Sequence, residues 1–203
     1  MNWAFNLNQM KVLLATHNPG KIKEYQKLLA ERGIEVETLK TLGIGDKFEE
    51  TQETFKANAG DKARFYFNLA KLPILAEDGG FEIDYLNGEP GVKSRRWLGY
   101  EAADKEIVKH LAKAIKGIPE NKRRARFTAT LCLAKSETDL HFATNSIEGY
   151  LTEIFNDNYD KGFPYRAFFI EQNFKKHLMD LSPEEYSRIN HRQKNIEEII
   201  KYL

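Results

Sequence analysis

Apolar residues along this chain recur with two different periods, and the switches between them outline a mixed α/β protein. Lys11-Val12-Leu13-Leu14-Ala15 is a short apolar run of the kind shown by a strand buried on both faces. After it Ile22, Tyr25, Leu28 and Leu29 return at helical spacing, and Arg32-Gly33 ends the segment with a cation and a terminal glycine. Ile34 to Thr38 reads as a second strand, and a polar loop leads to a long helix from about Thr51 to Lys71. On that helix Phe55, Ala59, Ala63 and Phe67 share one side, with Asn58 and Lys62 beside them as an i,i+4 pair. Leu72-Pro73 stops the helix, and Ile74-Leu75-Ala76 predicts a short buried strand. Phe81 to Tyr85 alternates like a half-buried strand, with turns signalled by Asn87-Gly88 and Pro90-Gly91.

The second half follows the same logic. Ile107, Val108, Leu111 and Ile115 make Glu101 to Lys116 an amphipathic helix, closed by Gly117. Ala125, Phe127, Ala129, Leu131 and Leu133 alternate with Arg126, Thr128, Thr130 and Cys132, predicting a long strand with one wet face. Leu140 to Phe155 reads as one or two further strands. Ser182-Pro183-Glu184-Glu185 is a capping box with proline at the first helical position, and a last helix carries Ile196, Ile199, Ile200 and Leu203. There are no repeats or low-complexity linkers in the 203 residues, so residues 10–203 form one domain. Residues 1–9 are expected to be a disordered extension or to precede the true start at Met10.

Charge narrows the function classes. Thirty-one basic against thirty acidic residues leave a net charge of +1, which gives no broad attraction to nucleic acid or an anionic membrane. No apolar run reaches membrane-spanning length, and the first residues lack the basic and apolar regions of a signal peptide. A cytoplasmic protein is expected. The single cysteine, Cys132, excludes an internal disulfide and reads as a small core residue. The histidines lack metal-ligand spacing, so no zinc site is expected.

Chemistry is concentrated where elements end. Thr16-His17-Asn18-Pro19-Gly20-Lys21 joins the first strand to the first helix, with Asn18 as N-cap and Pro19 at the first helical position. Lys21 then lies in the first turn, where the helix dipole disfavours a cation, which suggests an anion between it and the free N–H groups. A solvated lysine on a plain strand–turn–helix is the alternative. Glu49-Glu50 precedes the long helix, where acids ordinarily offset the dipole. Glu77-Asp78 follows the Ile74–Ala76 strand and runs into Gly79-Gly80, an arrangement by which α/β enzymes hold Mg²⁺ near phosphates. Lys62 could be a second phosphate ligand or a solvated helical lysine. Asn190-His191-Arg192 offers donors for a base edge or a phosphate, or a cap with a surface arginine.

Taken in series, these segments resemble the inosine/xanthosine triphosphate pyrophosphatase family over nearly the whole chain, from Lys11 to about Leu203. The family's T-x-N-x-x-K loop stands here as Thr16, Asn18 and Lys21, and its E-E-T segment as Glu49-Glu50-Thr51. Its acidic, glycine-containing core stands as Glu77 through Val92, and its late S-x-E-E-K-x-x-x-S-H-R stretch lies within Leu181 to Arg192. The resemblance implies an elongated mixed sheet flanked by helices, two lobes around a nucleotide cleft, and a homodimer. It implies that Thr16, Asn18, Lys21 and Lys62 hold a triphosphate, and that Glu49 or Glu50 binds Mg²⁺ with Asp78. Asp78 would orient or deprotonate water attacking the α-phosphorus of a noncanonical purine triphosphate such as ITP, dITP or XTP, releasing the monophosphate and pyrophosphate. His191 and Arg192 would read the 6-oxo purine, with Phe163 and Tyr165 stacking on it.

Three departures stand out. Gly79 replaces a hydroxyl residue and leaves a backbone N–H for a phosphate oxygen. In Gly162-Phe163-Pro164-Tyr165-Arg166 the family's aspartate has become Arg166, and the late motif's lysine has become Tyr186. Both substitutions fall in the base pocket. A pyrophosphatase of changed base specificity, or a nucleotide sensor without turnover, are the alternatives they open.

Overall fold

The computed structural model describes residues 10–203, so the expectation for residues 1–9 lies outside the described residues. The first strand, β1 (Lys11–Leu14), leads through the Thr16–Lys21 loop to α1 (Pro19–Ala30) and β2 (Glu35–Thr38). Then come α2 (Phe55–Ala70), β3 (Ile74–Ile83), the two-residue β4 (Pro90–Gly91) and α3 (Asp104–Lys116). The hairpin of β5 (Arg124–Ala134) and β6 (Leu140–Leu151) follows, with β7 (Phe169–Glu171), α4 (Pro183–Ile189) and α5 (His191–Ile199). Main-sheet order is β2-β1-β3-β5-β6-β7, with β4 on β3. Strand β1 runs parallel to β2 and β3, and the other pairings are antiparallel. The α/β class and the mixed sheet flanked by helices are therefore as the periodicity and the resemblance predicted.

Helices cover the sheet on both sides. Val12, Leu14, Leu75, Leu131 and Leu133 pack under Tyr25, Leu28 and Leu29 of α1 and Ile196 and Ile199 of α5. Their chain neighbours Leu13, Ile74, Ala76 and Cys132 face the other way, onto Ala59, Ala63 and Tyr66 of α2. Both sets are buried, which is why Lys11–Ala15 and Ile74–Ala76 read as unbroken apolar runs. Strand β5, expected to keep one wet face, is instead buried on both faces from Thr128 to Ala134, because α2 covers the side that carries Cys132. A third core joins the far end of the sheet, through Phe81, Ile83, Ala125 and Ile147, to Ile107, Leu111 and Ile115 of α3 and to Tyr165 and Phe169. The candidate site lies between this core and the other two.

One element differs from the sequence reading in a way that matters. The two short strands expected at Ile74–Ala76 and Phe81–Tyr85 are a single ten-residue strand, β3, paired without interruption from Ile74↔Ala134 to Ile83↔Ala125. Gly79-Gly80 is thus inside a strand. A β-carbon on Gly80 would lie 2.2 Å from the Gly91 carbonyl oxygen, and one on Gly79 2.5 Å from that of Thr128. These glycines let neighbouring backbone close in on β3. Helix α2 starts four residues later than predicted because Thr54 is its cap, accepting from the Ala57 N–H at 3.1 Å. The Gln52 N–H is instead taken by the Asn58 side chain at 2.9 Å, which keeps that segment out of the helix. Strand β6 stops at Leu151 as one strand.

Candidate active site

The Thr16–Lys21 loop is built as its sequence demands. Asn18 Oδ1 accepts from the N–H groups of Gly20 and Lys21 at 2.9 and 3.2 Å, and Thr16 Oγ1 accepts from the Asn18 N–H at 3.1 Å. Lys21 has an anionic partner, and that partner is protein: its Nζ lies 3.1 Å from Glu77 Oε1 on β3. Sequence reasoning grouped Glu77 with Asp78 but gave it no role. In the structure it is the electrostatic hub of the site.

Alternation along β3 sends Glu77 and Asp78 to opposite faces of the sheet. Glu77 points toward α1 and α5 and is 1% exposed. It accepts both arms of Arg192, at 2.7 Å from Nε and 3.0 Å from Nη2, and the Tyr25 hydroxyl at 2.6 Å. Burial works to raise its pKa, but Arg192 and Lys21 overcome that and hold it well below the ordinary carboxylate range. Asp78 points toward α2, accepting from Asn58 Nδ2 at 2.9 Å and from the Gly79 N–H at 2.8 Å. The Gly79 N–H expected to serve a phosphate is therefore turned to the Asp78 carboxylate. Burial first, and then the charge of Glu50, push the pKa of Asp78 up to about 6.

Glu50 is the member of the acidic pair that enters the site. It is ion-paired with Lys62, which α2 buries despite its charge. Burial raises the Glu50 pKa, while Lys62, with Lys21 and Arg96 beyond it, draws it net below the ordinary value. Arg96 also ties the loop down by donating to the Glu50 carbonyl at 2.7 Å. Glu49 is exposed to solvent. Lys62 and Asn58 thus form a polar edge on the buried face of α2, which explains an i,i+4 pair beside an apolar stripe.

At the other end, Lys21, Gly79, Phe163, Tyr165, Arg166, His191 and Arg192 line a cavity of about 110 Å³. Phe163 lies over the loop so closely that a β-carbon on Gly20 would come within 2.5 Å of its ring. Tyr165 is a core residue: its ring stacks on Phe81 at 4.8 Å and its hydroxyl donates to the Ser94 carbonyl at 2.7 Å. His191 is buried with Nδ1 unpartnered, and burial, reinforced by Arg192, holds its pKa well below the ordinary imidazole value. Arg192 has its donors committed to Glu77 and, through Nη1, to Glu24 Oε2 at 3.0 Å. Arg166 enters the pocket, with its guanidinium carbon 4.3 Å from the centre of the Phe163 ring. Tyr186, the other substituted position, donates to Glu24 Oε1 at 3.1 Å. Sequence reasoning did not find Glu24, although its spacing with Lys21 and Tyr25 places all three on one face of α1.

Fold and site together define an α/β protein with a capped strand–helix loop, one buried and one half-buried lysine, and two carboxylates on opposite faces of one strand. Comparison with known proteins makes the assignment specific. Residues 12–202 match the model of the Ham1 family. The chain is 33% identical to the dITP/XTP pyrophosphatase of Bacillus subtilis (strain 168), over 95% of this chain and 96% of that protein. It is 37% identical to the dITP/XTP pyrophosphatase of an Exiguobacterium species, over 90% and 91% of the two chains. A solved HAM1 protein from Coxiella burnetii superposes with a TM-score of 0.82 at 29% identity, over 95% of this chain and 98% of that one. The chain belongs to the Ham1 family, as the series of motifs implied.

Proposed function

We propose that this protein hydrolyses noncanonical purine nucleoside triphosphates to the monophosphate and pyrophosphate. The observation that carries the reading is a buried Asp78 whose pKa burial and the charge of Glu50 push up to about 6, with Lys62 and Lys21 close enough to act on it. A carboxylate tuned toward neutrality suits proton transfer from water, and two flanking lysines suit a polyphosphate. The relatives named dITP/XTP pyrophosphatase support the same chemistry and substrate class.

The residues present fit Mg²⁺. Glu50 and Asp78 repel one another in a buried setting, and a hard cation taking their oxygens would relieve both. Among the described residues no group of three or more His, Cys, Asp or Glu side chains is gathered to cage a metal. Mg²⁺ suits such a site, because it commonly takes one or two carboxylates and completes its shell with phosphates and water. When bound, it would neutralise charge on the phosphate oxygens. Lys21 and Lys62 do the same from the loop and from α2, while Thr16 and Asn18 shape the loop that receives the triphosphate. Asp78 takes the proton of the attacking water, held in place by Asn58. Phe163 and His191 meet the base. The reading also takes the protein to be a cytoplasmic homodimer, as the family resemblance implies.

The test is pyrophosphate release with Mg²⁺ from ITP, dITP, XTP, ATP, GTP and the pyrimidine triphosphates. Turnover confined to the 6-oxo purines lacking a 2-amino group supports the reading. Asp78→Asn is expected to lower kcat by about a thousandfold, on the scale of a lost general base, while ITP still binds the mutant. Undiminished hydrolysis by that mutant overturns the role of Asp78, and no turnover of any triphosphate by the parent protein favours the sensor.

A further inference from the structure

The cavity at the base end of the site is lined by four cationic side chains, Lys21, Arg95, Arg166 and Arg192, and by no aspartate or glutamate. Three of the four are already paired with carboxylates that are themselves no more than 18% exposed. Lys21 and Arg192 meet on Glu77, and Arg192 also holds Glu24. Arg95 pairs with Asp104 at 2.6 Å near the surface.

Arg166 is in a different position. It is 7% exposed, and its ion pair is Asp160 Oδ2, 3.1 Å from Nη1, on a side chain 62% exposed. A counter-ion in that much water screens a buried charge weakly. Glu24 is reached only through the Tyr186 hydroxyl, 3.5 Å from Nη2, and is shared with Asn190 and Arg192. Nε of Arg166 has no partner at all, and neither has Nδ1 of the nearby His191. A buried guanidinium N–H left open costs free energy that a ligand acceptor can recover. So this pocket holds an under-compensated positive charge and an unmet donor.

Among the purine bases these features do not treat all equally. Adenine presents an amino group, a donor facing a donor. Hypoxanthine is neutral and carries one exocyclic oxygen. Xanthine carries two, and its pyrimidine ring loses a proton near neutral pH, so that it meets the pocket as an anion. We propose that Arg166 makes the base pocket select for negative charge, so that xanthosine triphosphates are preferred over inosine triphosphates, with Arg166 the specificity-determining residue. This rests on the hydrolase reading above. The competing view is that Arg166 only ties Asp160 and Tyr186 into the wall of the pocket.

Steady-state kinetics with XTP and ITP separate the two. A charge-assisted hydrogen bond to the base is expected to favour XTP about tenfold in kcat/KM, expressed mainly in KM. Arg166→Gln, which keeps a polar side chain without the charge, is expected to bring the ratio to near one. Arg166→Lys, which keeps the charge, is expected to retain a clear preference for XTP. A parental ratio near one, or a ratio that Arg166→Gln leaves intact, overturns the proposal. If Arg166→Gln fails to fold, the parental ratio and Arg166→Lys still decide it. Binding of XMP and IMP by calorimetry, without turnover, gives the same comparison. If no triphosphate is hydrolysed but XMP binds more tightly than IMP, the hydrolase reading fails and the selectivity stands. If triphosphates are hydrolysed but the two monophosphates bind equally, the selectivity fails and the hydrolase reading stands.

Discussion

Glu77 and Asp78 are adjacent carboxylates with opposite electrostatic fates, and the difference comes from which face of β3 each one occupies. Glu77 meets Lys21, Arg192 and the Tyr25 hydroxyl, and its charge is stabilised. Asp78 accepts from the Asn58 amide and the Gly79 N–H, but burial and then the charge of Glu50 outweigh them, and its charge is resisted. The two amide substitutions should therefore move stability differently. Glu77→Gln leaves the buried Arg192 and the half-buried Lys21 without their shared counter-ion and is expected to cost about 3–5 kcal/mol, the usual penalty for breaking a buried pair. Asp78→Asn removes a disfavoured charge and is expected to leave stability at pH 8 equal or higher. Urea unfolding midpoints of the two variants and the parent check both outcomes. A smaller loss for Glu77→Gln than for Asp78→Asn would contradict this account of the site.

At the scale of elements, β3 is the piece on which the site depends. It gives Ile74 and Leu75 to two cores, Glu77 and Asp78 to the candidate site, and Phe81 to the third core. Continuity through Gly79-Gly80 is what allows one strand to do this. Gly80→Ala would force its new methyl against the Gly91 carbonyl, which belongs to the backbone of β4 and cannot rotate away. A loss of about 1–3 kcal/mol is expected, as for other overpacked positions, with a fall in activity because β4 precedes Ser94 and Arg96. The hydroxyl of Ser94 accepts from the Phe81 N–H at 2.8 Å and donates to the Gly91 carbonyl at 2.6 Å, joining this turn to β3. Thermal unfolding and kcat/KM of the one variant test both statements. A Gly80→Ala protein as stable and active as the parent would refute the tight approach.

The whole molecule places its site between separately packed cores. Residues from α1, α2, β3, α5 and the 162–166 segment converge there, so a bound nucleotide ties several elements to one another. Ligand binding should raise the stability of the entire domain in one step. With Asp78→Asn to prevent turnover, ITP at 100 times its dissociation constant is expected to add about 2.7 kcal/mol. Differential scanning calorimetry would show one transition moving upward. A transition that splits, with one part unmoved, would mean that the cores unfold independently. Among the described residues no helix is long and apolar enough to cross a membrane.

How much of this was legible without coordinates depends on the range of the interaction concerned. Caps and turns act within a few residues, so the caps at Asn18, Ser182 and Asn190 were readable from the chain alone. The buried strands, the amphipathic α3 and the inert Cys132, whose thiol burial pushes up to about 12, were readable for the same reason. The order of motifs was enough to identify the family. What lay out of reach was every pairing between residues far apart in sequence. Nothing local indicates that Lys21 answers to Glu77, that Glu50 rather than Glu49 faces Asp78, or that Arg192 turns to Glu24, 168 residues away. A double glycine normally marks a turn, and only the approach of β4 and β5 makes Gly79-Gly80 part of a strand. Sequence thus determined which elements form and which residue types are available to react, because propensity, capping and periodicity are short-range. Tertiary structure alone decided which charges are compensated and which are left over, because burial and Coulomb interaction depend on what folding brings near.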